Sequence, residues 1–282
     1  MKEKNAILQN RKYNTGETAL ELKEKHNPEG SLIRRVQLRL LGMLLYLDKV
    51  CKENSIDYRI DGGTVLGALR HGSFIPWDDD IDIVIENAND YDRLCRYLLT
   101  HPHPQYVLQN DKTDKGCIKY WSTLRDLKSE YVHLDPYEQA IDSKMKYRGL
   151  QIDIFPYEAG VIPSLYFRYA KLGRKERYYI VNQFWKARTL HLIRRNVFNP
   201  VLHLISRLFG NRNLYMHSYG EGFSCRFHKD VLLPHRPILF EGHIFPGPAD
   251  PDKFCKILYG DYMNLPPIEK RNSHLVTYKL WD

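Results

Sequence analysis

Cysteine is scarce in this chain. There are five in 282 residues, Cys51, Cys95, Cys117, Cys225 and Cys255, and no two lie within four positions of each other. That excludes a disulfide framework and a cysteine-rich zinc site, and it suits a reducing cytoplasm. No uncharged apolar run reaches the roughly 18 residues of a membrane span. The first residues, MKEKNAILQNRKYNTGE, lack the apolar stretch of a secretion signal. Internal repeats and low-complexity tracts are absent as well. Acid is nearly missing from one stretch: Arg168 to Arg212 holds eleven Lys or Arg and one acid, Glu176, a local balance of +10. The whole chain carries only +8, so the remainder is slightly acidic.

Apolar residues make up 43%, enough for a core, so the chain is not largely disordered. Residues 1–30 read as a polar arm ending in a turn. Ser31 caps a helix over 32–54, with Leu38, Leu41, Leu45 and Leu47 among its apolar positions. Residues 57–60 form a short strand, 64–69 open a helix, and 81–85 form a second strand. Asn87 caps a further helix through Leu99. Segments 105–109, 116–125 and 129–134 read as strands or hairpin arms, and 151–155 as a strand stopped by Pro156. The basic block reads as helices broken near Asn199-Pro200. A hairpin over 238–245 and a helix from Pro251 to Tyr259 follow. The organisation expected is a catalytic core over 31–160, a basic helical region over 161–225, and a C-terminal hairpin and helix over 226–282.

The chemistry concentrates in residues 61–85, DGGTVLGALRHGSFIPWDDDIDIVI. Alternate strand residues share a face, so Asp80 and Asp82 stand side by side while Ile81 and Ile83 face a core. Two close carboxylates are stable only if one is protonated or a cation lies between them. All-oxygen donors suit Mg²⁺ or Mn²⁺. Asp153, isolated among apolar residues of its own strand, is the candidate third carboxylate. It should face the same way as Asp80 and Asp82, with Ile152 and Ile154 on the packed side. Gly62, Gly63 and Thr64 lie where a strand turns into a helix, where the backbone can approach a phosphate. Arg70 is a candidate phosphate ligand, and Trp77, Lys119 and His274 are candidate substrate contacts. Asp78 and Asp79 read as caps or supporting hydrogen-bonding groups.

Glycine-glycine, then Asp-x-Asp on the next strand, then a lone strand Asp is the pattern of the nucleotidyltransferase fold, an α/β architecture with a mixed sheet flanked by helices. The run GGTVLGALRHGSFIPWDDDIDI closely resembles the LicD family, bacterial phosphocholine transferases related to fukutin and fukutin-related protein. GLQIDIFP at 149–156, LFEGHIFPGP at 239–248 and LYGDYMNLPP at 258–267 extend the resemblance. The resemblance implies metal-dependent transfer of a phosphorylated alcohol, most often phosphocholine, from its CDP ester to a hydroxyl of a cell-surface glycan, lipopolysaccharide or teichoic acid precursor. CMP leaves. Nucleotidyl transfer with pyrophosphate release, or an inactive glycan-binding protein, are the competing readings. The basic block, with Arg194 and Arg195 as its test positions, suits an anionic or lipid-linked acceptor or the inner membrane surface. No nucleic-acid motif accompanies it.

Overall fold

The computed structural model describes residues 11–221, 223, 225–271 and 276–281. Residues 1–10 of the expected polar arm, and His274, lie outside them. Helix α1 (Ala19–His26) opens on a capping box between Thr18 and Glu21. Helix α2 (Leu32–Glu53) starts at Ser31, whose hydroxyl accepts the Arg34 N–H at 3.3 Å. Leu40, Leu44 and Leu47 lie one turn apart on α2 and are fully buried.

The chain then enters the sheet through β1 (Arg59–Ile60), α3 (Gly62–Arg70), β2 (Ile81–Ile85) and α4 (Ala88–Thr100). Next come β3 (Tyr106–Gln109), β4 (Ser122–Asp126), β5 (Ser129–His133), α5 (Pro136–Asp142) and β6 (Gln151–Ala159). The strands order as β1-β2-β6-β4-β3. Only the β2–β6 pair is parallel; the other neighbours in this row are antiparallel. Ile81, Ile83, Ile85, Ile152 and Ile154 are completely buried in its core. Each such side chain contributes about 1.5–3 kcal/mol on burial.

The basic region is helical: α6 (Pro163–Asn182), α7 (Phe184–Ile193), a π-turn (Arg194–Phe198) and α8 (Asn199–Phe209). The break falls at Gln183, not at Asn199-Pro200. Pro200 is the second residue of α8, on a helical path that continues from α7 through the π-turn. The chain returns through β7 (Leu214–His217), β8 (Phe227–His228) and α9 (Lys229–Leu232). The hairpin of β9 (Arg236–Phe240) and β10 (His243–Gly247) follows, then α10 (Pro251–Tyr259) as expected, and β11 (Val276–Leu280).

Two further readings need correction, and one strand is new. Strand β6 does not stop at Pro156. Its pairing with β4 ends at Ile154 and its pairing with β7 begins at Tyr157, so proline falls in the seam between them, where its missing N–H breaks neither of those ladders. The segment 116–121 is not strand. Asp114 turns it, accepting the Gly116 N–H at 2.8 Å, and Gly116 passes so close to Lys144 that a Cβ would sit 1.6 Å from its carbonyl oxygen. The terminal strand β11 pairs antiparallel with β5, an element that the tail's sequence does not announce.

Candidate active site

Asp82 on β2 and Asp153 on β6 are direct register partners, with Ile81 opposite Ile152 and Ile83 opposite Ile154. Side chains opposite one another on neighbouring strands share a face. The two carboxylates therefore project together while the isoleucines pack on the other side. On the far edge of β6, Thr123 of β4 is the register partner of Asp153. Asp80 precedes β2 with the same parity as Asp82.

Asp153 is tightly dressed. Thr123 Oγ1 donates to its Oδ1 at 2.7 Å, Lys119 Nζ lies 3.4 Å from the same oxygen, and Gln151 Nε2 reaches Oδ2 at 3.5 Å. Lys119 is also 5.2 Å from the centre of the Trp121 ring. Asp82 is fixed through its backbone: its N–H donates to Thr64 Oγ1 at 3.2 Å and its carbonyl accepts the Asp61 N–H at 3.0 Å. Thr64 thus positions the strand and is itself buried.

The glycine pair is where the acids converge. Gly62 has a φ of +50°, and a Cβ there would lie 3.1 Å from Asp82 Oδ2. One at Gly63 would lie 3.1 Å from Asp78 Oδ2. Side chains at either position would press on a carboxylate. Both acids sit against the N-terminus of α3, whose macrodipole favours negative charge. Asp78 is closer to the centre than its sequence context suggests. Burial pushes the Asp82 carboxyl well above the usual range, and the charges of Asp80, Asp153, Asp61 and Asp78 act in the same direction.

A hard divalent cation would relieve that crowding, and an all-carboxylate donor set has the right chemistry for one. Among the described residues no three His, Cys, Asp or Glu side chains form a finished metal-holding group. The donor chemistry alone fits such a cation. Asp79 and Asp80 line a small cavity of about 150 Å³ with Tyr131, His133 and Gln151, and the Tyr278 hydroxyl donates to Asp79.

Arg70, the candidate phosphate ligand, is held by neighbouring segments. It is buried; Nε donates to His71 Nε2 and Nη1 to the Tyr262 carbonyl, each at 2.9 Å, and Tyr13 donates to its backbone oxygen. Trp77 packs between His26 and the Arg271 guanidinium rather than facing the carboxylates. Arg125 is fully buried and bonds Gln109 and the Gly149 carbonyl. His274 is outside the described residues.

A cleft of about 540 Å³ opens between α6, residues 118–121 and residues 220–221. Trp121, Tyr120 and Phe167 give it aromatic walls, and Lys171, Arg174 and Arg177 line it with positive charge. Trp121 Nε1, Arg194 Nε and Nη2, and Glu221 Oε1 all belong to residues of its wall. These atoms are buried with no hydrogen-bond partner. Glu221 is pushed well above the usual range by burial and by Glu158, while burial and Arg59 push His217 well below. His217 Nδ1 and Glu221 Oε2 lie 2.6 Å apart, so the two groups share one hydrogen bond. Sequence reasoning missed Trp121, Thr123 and Glu221. Thr123 was within reach, since it falls two residues before Arg125 on a strand; nothing local flags Glu221.

The nucleotidyltransferase domain of the LicD/FKTN/FKRP family matches residues 55–214. The chain belongs to this family. The match runs from just before β1 to the first residue of β7, so it takes in Asp78, Asp80, Asp82 and Asp153. The lipopolysaccharide cholinephosphotransferase LicD of Haemophilus influenzae is 27% identical over 267 residues, 86% of this chain and 95% of that protein. The human ribitol 5-phosphate transferase FKRP is 39% identical over 51 residues, 17% of this chain and 10% of its own. An uncharacterized protein of Rickettsia prowazekii is 40% identical over 53 residues, 19% of this chain and 20% of its own.

Proposed function

We propose that this chain transfers a phosphorylated alcohol, phosphocholine foremost, from its CDP ester to a hydroxyl of a cell-surface glycan, lipopolysaccharide or teichoic acid precursor, with release of CMP. The observation that carries the reading is the register pairing of Asp82 with Asp153 beneath the Gly62-Gly63 turn. The family, and relatives whose names specify choline phosphate and ribitol phosphate transfer, support the class of group moved.

Asp80 and Asp82, with Asp153 beside them, would hold Mg²⁺ or Mn²⁺. Such a cation would neutralise the pyrophosphate and the departing CMP oxygen. The chain's own groups divide the remaining tasks. The acceptor oxygen attacks phosphorus, its proton passes to Asp153 Oδ2, and the bond to CMP breaks with the electron pair leaving on CMP. Thr123 and Lys119 fix Asp153 through Oδ1, leaving Oδ2 more open for that proton. The α3 N-terminus presents backbone N–H groups to donor phosphate oxygens. The cleft beside Trp121 receives the acceptor: its aromatic walls suit sugar rings, and its unpartnered donors suit hydroxyl or anionic oxygens. All five cysteines are unpaired, and no helix among the described residues is long and apolar enough to cross a membrane. A cytoplasmic position facing the membrane goes with this reading.

The test is a panel of CDP-choline, CDP-ethanolamine, CDP-ribitol and CDP-glycerol with Mg²⁺ and candidate acceptors, scored for CMP. Acceptor-dependent CMP release supports phosphoalcohol transfer. Pyrophosphate release from CTP and a sugar phosphate, with no CMP from any CDP-alcohol, would replace it with nucleotidyl transfer. Neither product, with glycan bound, would leave a binding protein.

A further inference from the structure

The basic helices are built inside out. A helix that folds onto a water-soluble core buries its apolar face and exposes its polar one. From α7 through the π-turn to α8 the pattern reverses. The inward positions include His191, Arg194, Asn199 and Ser206, all buried. Each has a polar partner inside: His191 lies 2.9 Å from Glu176 and 3.1 Å from Asp111, Arg194 pairs with Glu176, Asn199 donates to the Tyr219 carbonyl at 2.9 Å, and Ser206 meets the Tyr219 hydroxyl at 2.8 Å. The exposed apolar positions include Ile193, Val197, Val201, Leu204, Leu208 and Phe209, with Asn196 and Arg207 exposed among them. The first five recur at steps of four, four, three and four, a single stripe along one helical face. Leu208 and Phe209 keep 66% and 77% of their surface in solvent. Trp185, 67% exposed with Lys186 against its ring, stands at the beginning of α7. Isolated exposed apolar residues are ordinary on a protein surface; a continuous stripe of them marks a contact surface.

Charge selects what makes the contact. Arg194 is buried against Glu176, and Arg195, 28% exposed, turns its guanidinium onto Asp111, so neither stands free on the outer surface as its sequence position suggests. Lys171, Arg174, Lys175 and Arg207 remain exposed in the same helical region, and the segment from Arg168 to Arg212 still carries one acid against eleven bases. A symmetric contact between two copies would set this positive segment against itself. An anionic headgroup layer complements it, with apolar side chains entering the acyl boundary and cations staying among phosphates.

We propose that the outer face of α7 and α8 is a membrane-docking surface for an anionic bilayer. The inference deepens the function proposed above, because α6, which walls the acceptor cleft, packs on this helical unit: a Cβ at Gly173 would lie 3.4 Å from Arg194 Nη1. Docking would hold the cleft near an acceptor anchored in the lipid.

The experiment is vesicle flotation with the full chain, needing no turnover, so its outcome is separable from that of the transfer assay. Vesicles of phosphatidylcholine alone are compared with vesicles containing about 30% phosphatidylglycerol. The wild type should float with the anionic vesicles at least about 10-fold more than with neutral ones, and lose most of that binding between 50 mM and 500 mM salt. The variant L204S/L208S/F209S, altered only at exposed positions, should lose about 10-fold or more in binding while its circular dichroism and melting temperature stay unchanged. A second variant, K175Q/R207Q, should bind more weakly with a shallower salt dependence. No binding by the wild type, equal binding to both vesicles, or undiminished binding by the folded triple variant overturns the proposal. So does a concentration-dependent dimer that the triple variant abolishes in the absence of vesicle binding.

Discussion

Asp82 opposes the fold that holds it. Burial and four neighbouring acids raise its folded-state pKa above the unfolded value near 4. The folded chain therefore binds this proton more tightly than the unfolded one. The destabilisation is small at about pH 4, and grows as pH rises from there toward the folded-state pKa. Asp82→Asn removes the charge and keeps the shape. The variant should melt higher than the metal-free wild type at pH 7–8, the difference closing toward pH 4, while transfer activity falls about 10²–10⁴-fold. A variant that melts lower at pH 8 would count against a carboxylate held under strain. Thr123 works differently, since its hydroxyl and Lys119 hold the same Asp153 oxygen. Thr123→Val should lower kcat about 10-fold or more and lower stability by only about 1 kcal/mol, read by urea unfolding. Loss of stability without loss of kcat would make Thr123 a core residue only.

Between α6 and α7 a buried network decides how the basic region stands. Burial alone would lower the His191 pKa, but hydrogen bonds to Asp111 and Glu176 more than offset it and raise it. A histidine raised by folding contributes most below its unfolded pKa near 6.5, and the contribution fades as pH rises through the folded value. His191→Ala leaves two acids facing a cavity and should cost about 3–5 kcal/mol at pH 6. In denaturant titrations the gap from wild type should narrow as pH is raised. A gap that widens with pH would reverse the assigned charge. The same network shows why this region is hard to read in advance. Arg194 and Arg195 look like surface charge because their partners, Glu176 and Asp111, are remote in sequence or hidden within the basic run. By contrast, β2 and α3 are legible: alternation in Ile81–Ile85 and the glycine pair are local signals for local structure. The parallel face shared by Asp82 and Asp153 follows from the same parity once the two strands pair. Pro156 misleads because proline's effect on a strand depends on which neighbour lies beside it, and that is a property of the sheet. The surroundings of Arg70 are hidden for the same reason, since Tyr262, whose carbonyl accepts from it, lies on a distant segment.

A cation bound between β2 and β6 would act on the stability of the molecule as a unit. Strand β6 is the common neighbour of β2, β4 and β7, so separating the carboxylates means opening the centre of the sheet. A ligand that binds the folded chain and not the unfolded one stabilises it by about 2.7 kcal/mol at one hundred times its dissociation constant. For a chain of this size that corresponds to a rise of roughly 4–5 °C in melting temperature. Mn²⁺ or Mg²⁺ at saturation should therefore raise the melting temperature of the EDTA-treated protein, and EDTA should abolish turnover until the cation is restored. The shift should vanish in D80N/D82N, which starts from a higher melting temperature because its repulsion is already relieved. These two effects must come together: a cation that stabilises by screening acids has little left to screen once the acids are gone. A wild-type melting temperature unmoved by millimolar cation would refute the metal site, whether or not CMP is released. A shift that persists in the double variant would place the cation elsewhere on the chain.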